Sequence, residues 1–359
     1  MASPRVLDLA GRSRARLVEV IATPVTEFLI GLETFQFAEA AHTLEVGPGW
    51  FDRTRGMTGP DVLTALSRLG RMGWGLLQSA AITDGWPPET GGFIDHVAAM
   101  PAEDLWMLFA GKHVRPFAGG FAPETFLAAA RGDRAARARL ADADEKLFSC
   151  ASTKSGIWDL TAGEARELSV VVLRGWHRDV FAPHAAEATK VLESDARAKQ
   201  RLRSTMTDEA LIEAATNGLI YVPEPWVRRI VLTPHIAMRP WNVTCAHDDT
   251  YVISYPVADE SLGAGPGAPP ASLVRLHKAL ADEKRLRILR LLARSDMGLA
   301  ELAEAVGLAK STTHHHTVIL RSAGLIRSST RLENRYSLRP EAVAEAGSAL
   351  RDFLEAPGR

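Results

Sequence analysis

Leu299 to Leu325 reads LAELAEAVGLAKSTTHHHTVILRSAGL, and the reading of this stretch decides the fold of the chain's C-terminal part. Leu299, Leu302, Ala303 and Val306 recur at helical spacing and give a short helix with one apolar face. Gly307 follows, and a residue without Cβ takes the positive φ of a sharp turn at little cost. Leu308 fills the corner between two helices. A second helix is expected from Lys310–Ser311, where a hydroxyl can cap free N–H groups, to Ala323, with Gly324 as its stop. Thr313, His316, Thr317 and Leu320 would then face inward. Ser311, Thr312, His314 and His315 would face outward near the N-terminal end, where small polar and imidazole side chains suit base edges and phosphates in a major groove. The layout is that of a helix-turn-helix carrying a reading helix. The plain alternative is a helical hairpin with a polar face.

On either side the pattern completes a module. Ser272–Leu280 reads as a helix, and Asp282 can cap another from Glu283 to Ala293, with Leu286, Ile288, Leu289, Leu291 and Leu292 apolar. Beyond the reading helix, Leu325–Arg327 and Arg335–Leu338 are strand candidates around a polar turn carrying Arg331. Two strands with a basic tip make a wing, which touches DNA backbone or minor groove. Pro340 opens a last helix over about Glu341–Phe353. From Ala271 to Arg359 there are 15 Lys and Arg against 10 Asp and Glu, while the rest of the chain has 27 against 33. A basic tail on an acidic body fits a chain of net charge −1 in which only the tail meets phosphate.

Asp259–Ala271 (DESLGAGPGAPPA) cannot form a core and marks a linker, so the expected domains are 1–258, a linker at 259–271 and a winged helix at 272–355. Upstream, residues 1 to about 15 are Arg-rich and expected to be loosely ordered. Arg16–Ala22 reads as a strand, and Pro24 opens a helix bearing Phe28, Leu29, Leu32 and Phe35. Further helices are expected at Pro60–Leu77, Ile94–Met100, Ala102–Phe109, Pro123–Ala130, Asp133–Phe148, twice within Thr161–Leu192, at Ser194–Ser204 and at Thr207–Thr216. Gly218–Val222, Arg229–Leu232 and Thr250–Tyr255 look like a small antiparallel sheet. The fold class is thus mainly α with small antiparallel β elements: an α-rich N-terminal domain and a C-terminal winged helix-turn-helix.

These residues resemble a known family. ADEKRLRILRLL, then ELAEAVGLAKSTTHHHTVILRSAGLIR, then a basic turn closing on RYSL, are similar to the winged helix-turn-helix of ArsR-type bacterial regulators, over roughly Ala271–Phe353. The resemblance implies a homodimer on double-stranded DNA, reading an inverted repeat, and a repressor. It places Ser311, Thr312, His314 and His315 at the DNA, with Lys310, Arg321, Arg331 and Arg335 beside them. Metal-sensing members carry a Cys-x-Cys box where this chain has Met297–Glu301, or His and Asp on the last helix, which here lacks histidine. No metal site and no cofactor is expected from that pattern. Thr317 also stands where the family has leucine. The N-terminal body is similar only to an uncharacterised domain that precedes this winged helix in some actinobacterial regulators.

Other features carry less. His314, His315 and His316 are consecutive, so their side chains diverge by about 100° per residue and cannot converge on one ion. The eight tryptophans all fall between Trp50 and Trp241, where they suit either a small-molecule effector pocket or ordinary core. No residue locates such a pocket. His177, Asp179 and His184 lack a nucleophile or phosphate loop, so no catalytic residue and no enzyme is expected. Cys150 and Cys245 form no CxxC and fit a reducing cytoplasm. There is no apolar leader and no run of 18 apolar residues, so no membrane association and a cytoplasmic location are expected. The competing class is an interaction protein that uses the winged helix as a docking module, and DNA binding at low salt separates the two.

Overall fold

The computed structural model describes residues 17–147, 156–222, 224–263, 269–329 and 335–355. The first fifteen residues, Cys150 and the wing tip with Arg331 lie outside them. Strands are β1 (Leu17–Val20), β2 (Leu219–Ile220), β3 (Arg229–His235), β4 (Val243–His247), β5 (Thr250–Pro256), β6 (Met297–Gly298), β7 (Ile326–Ser329) and β8 (Arg335–Leu338). The mainly helical class with small sheets holds, but the N-terminal sheet is not the expected antiparallel one. Its order is β1-β3-β5-β4, with β1–β3 and β3–β5 parallel and only β4–β5 antiparallel. β1 and β3 are joined through the whole helical body, which gives the long crossover that parallel pairing needs.

This sheet is covered on both faces, which is why β3 lacks alternation and is buried from Ile230 to His235. On one face Ile230, Leu232, Ile253 and Tyr255 pack with Ala196, Leu211 and Ile212. On the other, Thr233 and Ser254 hydrogen-bond Thr26 and Gln78 from the helices Pro24–Gln36 and Trp74–Thr83. The expected Pro60–Leu77 helix is in fact two, Pro60–Leu69 and Trp74–Thr83. Gly70 at φ +63 ends the first, a conformation that side chains with Cβ resist. Trp74, Trp106, Trp176, Phe28 and Phe93 fill the main core, so these aromatics are structural. Glu27 lies in the same body and accepts backbone N–H bonds from Ile236 and Ala237. Burial raises its carboxyl to about 7 despite those bonds.

The C-terminal module folds around Ile288, Leu292, Leu302, Leu320, Leu325 and Tyr336. Helices Ala271–Leu280, Glu283–Leu292, Leu299–Val306 and Lys310–Ser322 are followed by β7, β8 and the helix Pro340–Glu355. Asp282 caps its helix by accepting from Arg285 N at 2.9 Å. Gly307 takes φ +70 and Gly324 φ +73, as their positions require. The reading helix begins at Lys310 behind Ala309 without a side-chain cap, so the expected hydroxyl cap is not made. β6 and β7 both pair antiparallel with β8, which makes the wing.

A fourth strand joins the wing sheet from the N-terminal body. β2, expected in the N-terminal sheet, runs parallel to β7 with Leu219 opposite Ser328 and Ile220 opposite Ser329. Ser328 N donates to Gly218 O at 3.0 Å, and Gly218 sits at φ +101. β7 would otherwise expose one edge of the wing, and β2 satisfies it. At the linker, the Asp259 carboxylate meets the guanidiniums of Arg239 and Arg275 and the amide of Ser272.

Candidate nucleic-acid interface

The reading helix presents two faces. Thr313, Thr317 and Leu320 are fully buried against the module's own core, as the helical spacing requires. His316 packs beside it, with Nδ1 3.9 Å from Asp282. Lys310, Ser311, Thr312 and His314 are exposed. Four adjacent groups at a helix N-terminal end thus combine a cation, two hydroxyls and an imidazole, and free N–H groups at that end also favour phosphate. Arg335 is half-exposed on the wing, its guanidinium donating to Asp296 O at 2.6 Å and lying 3.8 Å from Glu301. Its charge is therefore partly engaged.

The C-terminal half of the reading helix is covered by the N-terminal body, which the sequence did not reveal. The His315 ring lies 5.2 Å from that of His42. Arg321 places its guanidinium 5.9 Å from the Trp241 ring centre, and burial pulls its pKa down. Asn217 Nδ2 donates to Ser322 O at 3.1 Å, and Arg327 is held by Glu213 and Glu341. Val318, on what would be the outer face of a free module, is buried here. A weak signal was available: Val318 adds apolar area beyond the stripe that the module's own core uses.

Between the two parts lies a cavity of about 300 Å³, lined by Trp241, Asn242, Thr244, Tyr251, Arg321 and Tyr336 among others. No carboxylate pairs with Arg321 among the described residues. Elsewhere, His177 and Asp179 make packing and hydrogen-bond contacts of their own. Asp179 accepts from Arg178 and from Gly59 N, and His177 packs on Phe28 and Phe181. Burial pushes the Cys245 thiol up to about 11, which leaves it a poor nucleophile.

The imidazoles at the junction set a pH dependence. Partial desolvation against neighbouring groups holds His315, His316 and, although its side chain stays largely exposed, His314 below the ordinary histidine range. Arg321 lowers His314 further, and His42, His316 and Arg285 lower His315. Only Asp282 opposes this, at His316. Of these influences only His42, acting on His315, comes from the N-terminal body, so docking there favours the neutral ring. Acidification through the ordinary range near pH 6.5 therefore weakens docking and adds positive charge to the DNA-facing end. Affinity for DNA at constant salt is expected to be flat above pH 7.5 and to rise below pH 6.5. The rise should be blunted in His315→Ala. Fluorescence anisotropy checks this, and equal affinity at pH 6 and pH 8 would refute it.

Residues 282–328 match the model of the bacterial regulatory protein arsR family. The chain is 26% identical to an ArsR family transcriptional regulator of known crystal structure, over 23% of this chain and 93% of that one, at a TM-score of 0.22. It is 30% identical to HlyU from Vibrio cholerae, over 24% and 95%, at a TM-score of 0.20. It is 28% identical to a homodimeric winged helix-turn-helix DNA-binding domain from Mycobacterium bovis, over 24% and 86%, at a TM-score of 0.20. No curated protein matches the chain. Among the described residues, no helix is long and apolar enough to cross a membrane.

Proposed function

We propose that this chain, a DNA-binding regulator by virtue of its ArsR-type winged helix-turn-helix, is a one-component repressor that reads an inverted repeat as a homodimer. The observation that carries the reading is the exposed row Lys310, Ser311, Thr312 and His314 at the start of a helix whose opposite face is locked into a winged core. Pairing of two copies is supported by Val343, Leu350 and Leu354 along the last helix and Val274 on the first, all exposed apolar side chains. The N-terminal body is the sensing part. A cavity of about 300 Å³ is at the lower end of ligand pockets, and its aromatic walls with an unpaired Arg321 suit a small aromatic carboxylate. Such a ligand would act on the reading helix directly, because Arg321 and Val318 belong to that helix.

The test is a titration of the full chain on its own promoter DNA across salt. Affinity should fall steeply with salt, and the inverted repeat should be preferred over scrambled DNA. Thr312→Ala is expected to cost about 1–3 kcal/mol on the specific site only, whereas Lys310→Ala should weaken binding to all sequences alike. Repeating the titration with aromatic carboxylates tests the cavity, since a compound that shifts affinity through it should lose that effect in Arg321→Leu. Failure to bind any DNA at low salt would favour the reading of the winged helix as a protein-docking module.

A further inference from the structure

Thr313, Thr317 and Leu320 turn the reading helix Lys310–Ser322 toward the core of its own module. Successive helix residues advance by about 100°, so the opposite face is made by Ser311, His315, Val318 and Ser322. That is the face a reading helix lays into a major groove. Here the N-terminal body occupies it from His315 onward. His315 lies against His42, Val318 is buried, and Ser322 O accepts from Asn217 Nδ2 at 3.1 Å. Arg321, at the flank, carries its guanidinium over the Trp241 ring.

This arrangement and an occupied groove exclude each other. A helix with its side chains is about 10–12 Å across and the major groove about 12 Å wide, so nothing layered on the outer face fits as well. Inserting only the first turn does not relieve the conflict. His315 follows Ser311 by about 6 Å along the axis, and the groove is about 8.5 Å deep. A duplex whose base edges reach Ser311 and Thr312 therefore meets His42. The contact is also well tied. β2 pairs with β7, and Asn217, at φ +55, accepts from Arg339 Nη1 at 3.1 Å. Glu45 and Glu213 of the body take the guanidiniums of Arg275 and Arg327 in the module. The acidic body thus holds the basic module through cations, the groups that phosphate also attracts.

We propose, resting on the DNA-binding reading above, that this dock is autoinhibitory: the body and the operator compete for the outer face of the reading helix, and DNA binding requires the two parts to separate. The dock also fixes the sign of control by a ligand. The cavity of about 300 Å³ takes walls from both parts, Trp241 and Tyr251 from the body and Val318 and Arg321 from the helix. Its occupant binds the docked form, so it draws the chain off DNA.

The full chain tests this with a reversible lock. Ile220 and Ser329 are paired neighbours on β2 and β7, and adjacent strands lie about 4.7–4.9 Å apart, within the Cα range of a disulfide. Ile220→Cys with Ser329→Cys, closed by oxidant and opened by reductant, holds or frees the dock in one folded molecule. Mass spectrometry reads closure, and fluorescence anisotropy reads affinity for a duplex from the chain's own promoter. The oxidised form is expected to bind on the order of 5–150-fold more weakly than the reduced form, the usual span of coupling between linked sites. Each single cysteine variant should show no such response, which accounts for Cys150 and Cys245. Conversely, Glu213→Gln with Asn217→Gly frees Arg327 and Ser322, and glycine keeps the positive φ without strain. It should bind about five-fold or more tightly than wild type. Glu209→Gln, the same charge change at an exposed position of the same helix, should not. Equal affinity of the oxidised and reduced forms overturns autoinhibition and leaves DNA binding standing, as does equal affinity of the freed variant and Glu209→Gln. Cysteines that fail to close under oxidant overturn the dock itself. Absence of binding in every form at low salt removes the DNA-binding reading and the proposal with it.

Discussion

Leu320→Ala is expected to destabilise the winged helix by about 2–5 kcal/mol, the cost of a leucine-sized cavity in a core that collapses only partly. Leu320 is fully buried and packs with Ile288, Leu302 and Leu325, so it holds the reading helix to the two helices before it and to the start of the wing. Domains are stable by only about 5–15 kcal/mol, and a small module stands near the low end. DNA binding should therefore fail with it. The chain offers a convenient control, because all eight tryptophans lie between Trp50 and Trp241 in the body. Far-UV circular dichroism should show an early transition in the variant, while tryptophan fluorescence should report a body that still melts late. Unchanged stability in both signals would mean that Leu320 is not the keystone of this core.

Trp176→Ala is expected to cost the body about 3–5 kcal/mol. The ring is 1% exposed, lies 5.4 Å from Phe35, and its Nε1 donates to Phe28 O at 3.2 Å. It therefore ties the helix Ala162–Trp176 to the helix Pro24–Gln36, which in turn supports β3 through Thr26. Gly31 faces the same indole, with room for contact but none for bulk. Trp176→Phe keeps much of the apolar area and loses the hydrogen bond, so its cost should be smaller, about 1–3 kcal/mol. Urea denaturation followed by circular dichroism ranks the two. Equal midpoints for both variants would mean that the indole contributes through its N–H alone.

The two parts of the chain were not equally legible. In the C-terminal module each signal is local: the Leu302–Val306 stripe, the turn glycine Gly307 and the stop glycine Gly324 act within a few residues of where they stand. In the body, Pro60–Leu77 read as one helix because its leucines keep the period across Gly70, although the backbone breaks there. Gly218–Val222 was legible as a strand, but strand propensity names no partner, and it pairs with β7 more than a hundred residues later.

The helix-turn-helix and the strands of its wing were legible in the sequence, since helical period and turn glycines are short-range properties; of the residues read as outward, Ser311, Thr312 and His314 are exposed while His315 lies against His42. Tertiary structure alone decided that β1 pairs with β3, and that Trp241 and His42 cover the far half of the reading helix. Those outcomes join residues far apart in the chain, where the choice among partners rests on how whole faces pack and on which edges and buried polar atoms remain to be satisfied. No local spacing carries that information.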